Sequence, residues 1–117
     1  MDRPEQILEV WFADVGQYPE RLTARFGYWF GSDEDTVDSI KARDEWLQHR
    51  FLHDVELASN GQLDAWAHTP RGRLALILLL DQFRRNIYRG TAQAFTHDRQ
   101  ALDLAVAGLR LGVDEEL

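Results

Sequence analysis

The sequence predicts an all-α fold, an array of about five helices with short connectors. Apolar residues recur at steps of three and four along most of the chain, and capping signals precede these runs. Sustained alternation of apolar and polar residues, which would indicate strands, is missing. A chain of 117 residues, 44% hydrophobic and 28% charged, is typical of one globular domain, so we expect a single all-helical domain over residues 1–117.

The first helix is predicted to begin near Asp2, which has capping-box spacing to Glu5, and Pro4 suits its first turn. Gly16 is expected to end it. Residues 17–32 predict one short helix followed by an aromatic-rich turn. The apolar stripe of the first helix consists of Ile7, Leu8, Trp11 and Phe12.

A long helical pattern begins at Asp33 or Asp35 and continues to about Ala58, with a break expected near Asp44. After it, the letters "SNGQLDAW" at 59–66 indicate a stop and at most one more turn. The apolar positions of the pattern are Val37, Ile40, Leu47, Phe51, Val55 and Ala58.

The next helix is predicted to lie at the centre of the domain. Thr69 followed by Pro70 is a strong start signal, and Gly90 suits the end. Residues 74–80 are apolar without interruption, and a helix that is apolar on every side must be covered by other helices.

A last helix is expected to be capped by Asp98 and stopped by Gly112. It carries the apolar residues Leu102, Ala105, Val106 and Leu109.

A polar cluster follows the leucine run directly, at the edge of the predicted core. Asp81 precedes Arg85 by one helical turn, the favourable order for an ion pair. In the structural interpretation this network anchors a helix end, and Asp81→Ala would cost about 3–5 kcal/mol. The alternative is a pocket in which arginines bind an anionic ligand through paired hydrogen bonds. The residues of this candidate ligand site are Asp81, Gln82, Arg85, Asn86 and Arg89.

The stretch "LALILLLDQFRRNIYRGTAQAFTHD" at 74–98 closely resembles the signature of an uncharacterised bacterial family, domain-of-unknown-function family nine hundred twenty-four. That signature is L-L-D-Q-F-P-R-N-x-x-R-G-T, followed by A-F and an aspartate. "WF" at 11–12 and at 29–30, and "TPRGRLAL" at 69–76, are similar to the family as well. The resemblance implies a tetratricopeptide-like helical fold and carries no established function.

Two departures from the family pattern affect the interpretation. Arg84 stands where the family has proline, which would interrupt the helix at that point. Family members also continue into a segment with a Leu-Pro-Phe-Met-His-Ser-Glu motif, so this chain resembles a C-terminally shortened member. We therefore expect exposed apolar surface near the C-terminus that favours self-association.

Charge and composition argue against several classes of function. A net charge of −7 opposes binding to nucleic acid or to an anionic membrane, and the longest apolar run, seven residues, is too short to span a bilayer. The absence of cysteine suits a cytoplasmic protein. His49 and His53 lie four residues apart with Glu56 nearby, but no further ligand cluster supports a metal site. We assign no metal, no cofactor and no catalytic residue.

Two hypotheses about function remain. In the preferred one the protein is a non-catalytic helical module that binds a protein or peptide, or associates with itself. In the alternative it is a small-molecule binding protein or an enzyme, with a polar cleft around Asp81, Arg85 and Arg89.

Overall fold

The computed structural model describes residues 2–13 and 36–111, which form helices and turns and contain no strand, as predicted. Its α-helices are α1 (Arg3–Phe12), α2 (Val37–Ser59), α3 (Pro70–Leu78), α4 (Arg84–Ile87) and α5 (Asp98–Arg110). A π-helical segment, Leu79–Phe83, joins α3 to α4, and 3-10 turns lie at Asp64–His68 and Ala92–Phe95.

Helix α1 begins as predicted. A carboxylate oxygen of Asp2 accepts a hydrogen bond from the backbone N–H of Glu5 at 3.0 Å, which satisfies one free donor of the first turn. The helix ends at Phe12, and the predicted stop at Gly16 and the short helix in 17–32 lie outside the described residues.

Helix α2 is capped by Thr36, whose hydroxyl accepts from the backbone N–H of Ser39 at 3.0 Å. In return, the Ser39 hydroxyl accepts from the backbone N–H of Thr36 at 2.8 Å. The helix then continues to Ser59 without interruption. The predicted break near Asp44 is therefore wrong. The carboxylate of Asp44 bonds to side chains that follow the central helix and does not cap a new segment.

Helix α3 begins with the predicted Thr69–Pro70 pair, and the Thr69 hydroxyl accepts from the backbone N–H of Gly72 at 3.0 Å. Gly72 allows a close approach, because a Cβ there would overlap the carbonyl oxygen of Trp66 in the preceding 3-10 turn. The helical rod from α3 through α4 packs against α1, α2 and α5, so its predicted central position is confirmed.

Phe83 of the π-helical segment is fully buried and lies between α1 and α2. Its ring centroid is 5.6 Å from that of Trp11 on α1 and 5.2 Å from that of Phe51 on α2. The two pairs join three elements through aromatic contacts. Other large side chains of the core with no exposed surface are Ile7, Leu47, Val55, Leu76, Leu79 and Leu80.

Polar contacts hold α1 against its neighbours. The Arg3 guanidinium donates two bonds to the carboxylate of Asp54 on α2, at 2.6 and 3.0 Å, and this hydrogen bonding raises the pKa of Arg3. Glu5 makes an ion pair with Arg71 on α3. The forked geometry of each guanidinium–carboxylate pair fixes orientation as well as distance.

Helix α5 begins at Asp98, and the residue before it, His97, makes no side-chain capping bond. The predicted capping role of Asp98 is therefore wrong, since its carboxylate accepts from Arg85. Small residues, Ala101 and Gly108, form the buried side of α5. Arg73 of α3 is buried nearby and donates from Nη1 to the carbonyl oxygen of Leu104 at 3.1 Å. The predicted stop at Gly112 lies outside the described residues.

Within the described ranges no helix has the length and apolar character needed to cross a membrane.

Candidate functional site

The predicted polar cluster lies where the central rod leaves the core. Asp81 and Gln82 belong to the π-helical segment, Arg85 and Asn86 to α4, and Arg89 follows α4. A π-helical turn holds more residues than an α-helical turn and therefore shifts the direction of the side chains that come after it. The cluster divides into two sets, one directed at α5 and one at α2.

The first set joins the rod to α5 through Arg85. Its Nε donates to Asp81 at 2.6 Å, as the one-turn spacing predicts, and its Nη2 donates to Asp98 at 3.0 Å. The same guanidinium lies 4.9 Å from the ring centroid of Phe95. The side chains of Asp81 and Arg85 are 28% and 41% exposed, so water screens this pair.

The second set joins the rod to α2 through Asp44, whose side chain is only 14% exposed. Arg89 donates to both oxygens of this carboxylate, at 2.6 and 3.2 Å, and the hydrogen bonding raises the pKa of Arg89. The buried amide of Asn86 donates to the same carboxylate at 3.2 Å. Asp44 is thus the acceptor on which three hydrogen bonds converge.

Arg84 has the most buried arginine side chain of this region, and its bonds were not predictable from the sequence. Its Nε donates to the carbonyl oxygen of Gln93 at 2.7 Å, and its Nη1 donates to the hydroxyl of Ser59 at 3.0 Å. These bonds tie the end of α2 to the turn before α5. Burial, together with the positive charge of Arg84, lowers the pKa of His97.

The structure therefore brings Asp81 together with Arg85, and Asn86 together with Arg89, and describes no hydrogen bond between these two pairs. Arginine side chains of both sets are engaged by aspartates, which offset their positive charge. These hydrogen bonds join the central rod to α5 and to α2. The ligand site proposed for these residues stays a prediction.

An exposed apolar surface lies on α5. Leu102, Val106 and Leu109 are 55%, 37% and 63% exposed, and their spacing of four and three residues places them on one face of the helix. We call these three residues the α5 stripe. Phe95, 56% exposed, lies beyond the N-terminal end of α5 and is linked to it through the contacts of Arg85. The sequence identified this row of residues but not that it faces outward.

The histidine pair considered as a metal site is placed on α2, where His49, His53 and Glu56 are all exposed. Among the residues that the structure describes, no group of three or more acidic, histidine or cysteine side chains is arranged to hold a metal ion.

Comparison with known proteins identifies the family. A solved structure of a protein of unknown function from Agrobacterium tumefaciens is 33% identical in sequence and aligns with a TM-score of 0.68 over 94% of this chain. The chain spans 57% of the length of that protein. A comparison with curated proteins gives no match. The family model described as "Bacterial protein of unknown function (DUF924)" matches residues 7–117, and the chain therefore belongs to this bacterial family.

Proposed function

We propose that this protein is a non-catalytic helical module that binds a protein or peptide partner through α5. The observation that supports the proposal is the α5 stripe, three large apolar side chains in one row on the outside of a helix. Exposed apolar residues in such a row mark interaction surfaces. The same row supplies anchor positions four and seven residues from the first, the spacing by which one amphipathic helix recognises another.

The proposal includes a tetratricopeptide-like arrangement of a single domain over residues 1–117 and a cytoplasmic location. Helix arrays of this type bury each element against its neighbours, so that an apolar face left uncovered by the described residues is a surface for a further helix. The polar cluster at 81–89 does not favour a ligand cleft, since its side chains already bond to other helices and turns.

Selection from a displayed library of helical peptides tests the proposal. Peptides that bind the wild-type protein would then be exposed to the double variant Leu102→Asp with Leu109→Asp, which places charge on the stripe. Peptides that also bind this variant would be removed. Because both side chains are more than half exposed, the variant should remain folded, and a circular dichroism melt checks this. We expect the remaining peptides to carry apolar residues at steps of three and four. Failure to find any peptide that distinguishes the two proteins would refute the proposal.

A further inference from the structure

The two asparagines of the chain differ in exposure and in the residue that follows them. Asn60, directly after α2, is exposed to solvent and is followed by Gly61. Asn86 is 5% exposed, donates to the carboxylate of Asp44, and is followed by Ile87. Glycine has no Cβ to hinder an approach to its backbone nitrogen, whereas isoleucine has a branched one. Of the two, Asn60 has the features of an asparagine that loses its amide.

We propose that Asn60 is a site of spontaneous deamidation, a modification that is independent of the proposed function. The backbone nitrogen of Gly61 attacks the side-chain carbonyl carbon of Asn60 and forms a C–N bond that closes a succinimide ring. The proton of this nitrogen passes to the side-chain amide, which leaves as ammonia. Water then opens the ring at either carbonyl, its hydroxyl going to the carbon and its hydrogen to the nitrogen. The products are aspartate and isoaspartate.

The folded turn at the end of α2 holds the reacting atoms apart. The backbone ψ of Asn60 is 5°, which places the Gly61 nitrogen close to the backbone nitrogen of Asn60 and away from its side chain. The N–H of Gly61 also donates to the carbonyl oxygen of Ala58 at 3.2 Å. Ring closure therefore requires rotation about the Cα–C bond of Asn60 and loss of this hydrogen bond. Because helix ends open more readily than helix centres, the reaction proceeds through opening of this turn.

The products alter the end of α2. Each adds a negative charge at the C-terminal end of the helix, where the helix dipole disfavours it. The carboxylate of Asp64 already lies beside this turn, since one of its oxygens would be 3.4 Å from a Cβ at Gly61. Isoaspartate also adds a methylene to the main chain, within a turn in which Gln62 N–H donates to the carbonyl oxygen of Leu57 at 3.0 Å. We therefore expect both products to weaken the end of α2.

Peptide mapping by mass spectrometry, on the full chain incubated at mildly alkaline pH, tests the proposal. We expect Asn60 to convert to separately eluting aspartate and isoaspartate forms, while Asn86 in the same sample stays intact. In urea, which opens the turn, Asn60 should react about ten- to a hundredfold faster than in the folded protein. The matched variant is Asn60→Gln, which should stay unmodified because a glutamine would have to close a larger ring.

The effect of the product is measured separately. Asn60→Asp carries the charge of the deamidated residue, whereas Asn60→Gln keeps a neutral amide at the same position. We expect Asn60→Asp to unfold at a lower urea concentration than Asn60→Gln, because its charge lies at the negative end of the α2 dipole and near Asp64.

The proposal is overturned if the folded chain has no detectable product at Asn60 after the period in which the urea-treated chain has converted completely. Equal reaction of Asn60 and Asn86 in the folded chain would overturn it as well. Equal rates at Asn60 in the folded and the urea-treated chain would overturn the protective role of the turn. Equal urea midpoints for Asn60→Asp and Asn60→Gln would overturn the expected weakening of α2.

Discussion

Replacing Asp44 with alanine should destabilise the protein more than the same change at Asp81. Asp44 is 14% exposed and accepts hydrogen bonds from Arg89 at 2.6 and 3.2 Å and from Asn86 at 3.2 Å. Asn86 itself is 5% exposed. Asp44→Ala would leave a buried amide donor without its acceptor and would remove the hydrogen bonds that join α2 to the end of the central rod.

The magnitude follows from these exposures. An unpaired buried amide costs about 1–3 kcal/mol. The ion pair adds at most about 1 kcal/mol, because Arg89 is 54% exposed and its charge is screened. Asp44→Ala should therefore lower the free energy of unfolding by about 1–4 kcal/mol. Asp81→Ala should cost about 1 kcal/mol or less, since Asp81 is 28% exposed and Arg85 keeps its bond to Asp98. The sequence-based value of about 3–5 kcal/mol applies to a fully buried pair.

Urea unfolding followed by circular dichroism measures both changes. Asp44→Asn, which keeps an acceptor oxygen for Asn86, should cost about half as much as Asp44→Ala. Asp103→Ala is the matched control, because Asp103 is 63% exposed and its one ion pair among the described residues is with Arg99, one turn away. It should change stability by about 0.5 kcal/mol or less. The reasoning is refuted if Asp81→Ala destabilises as much as Asp44→Ala, or if Asp44→Ala is no worse than the control.

Three further predictions follow from the other contacts. Arg84→Lys should lower the free energy of unfolding by about 1–3 kcal/mol, because a lysine cannot bond to both Gln93 and Ser59 as the guanidinium does. The control, Arg99→Lys on the surface, should be nearly neutral in the same urea experiment. Hydrogen bonding from Arg71 lowers the pKa of Glu5, so this ion pair stabilises the fold fully above the ordinary pKa of 4.5, and its contribution is lost as the pH falls through the lower pKa of the folded state. Glu5→Gln should therefore make the free energy of unfolding depend less on pH in that range. An acid unfolding curve that Glu5→Gln leaves unchanged would contradict this. Inorganic phosphate should raise the melting temperature of the wild type no more than that of Arg89→Met, and a selective rise in the wild type would support an anion site.

Local signals predicted the starts of two helices. The caps at Asp2 and Thr69 were predictable because a capping bond joins residues three apart, and both bonds are present. The central position of residues 74–80 was predictable as well, since an uninterrupted apolar run has no side to present to water. Both inferences use only the chain within one or two helical turns.

Partners distant in sequence were not predictable. Asp44 lies 42 and 45 residues from the side chains that donate to it, and no spacing rule connects such positions. Its position within the helical pattern instead suggested that Asp44 caps a second helix. Arg85 illustrates the same limit, because its bond to Asp81 follows from one-turn spacing whereas its bond to Asp98 depends on how α5 packs. Helix periodicity identifies a face but not the element that covers it.

Helix α5 shows why the buried face of a helix can be misjudged. Hydrophobicity alone would turn its leucines inward, but Ala101 and Gly108 are the buried residues, while Leu102 and Leu109 remain exposed. Small residues permit α5 to lie close to α3, where the carbonyl oxygen of Leu104 accepts a bond from Arg73. Close approach thus determines the inward side, where Leu104 also packs against the core, whereas Leu102 and Leu109 face outward.

The concentration of polar residues at 81–89 is accounted for by geometry. The central rod leaves the core at the point where α2, α5 and the turn before α5 all approach it, and a different side chain bonds to each of them: Arg89 to α2, Arg85 to α5 and Arg84 to the turn. A helix end with three neighbours needs polar side chains in several directions, because its free carbonyls and the charges around it must be satisfied as water is excluded. The polar cluster therefore has its partners within the fold. The α5 stripe, in contrast, is an apolar surface that no described residue covers, and this supports the proposal that α5 binds a partner.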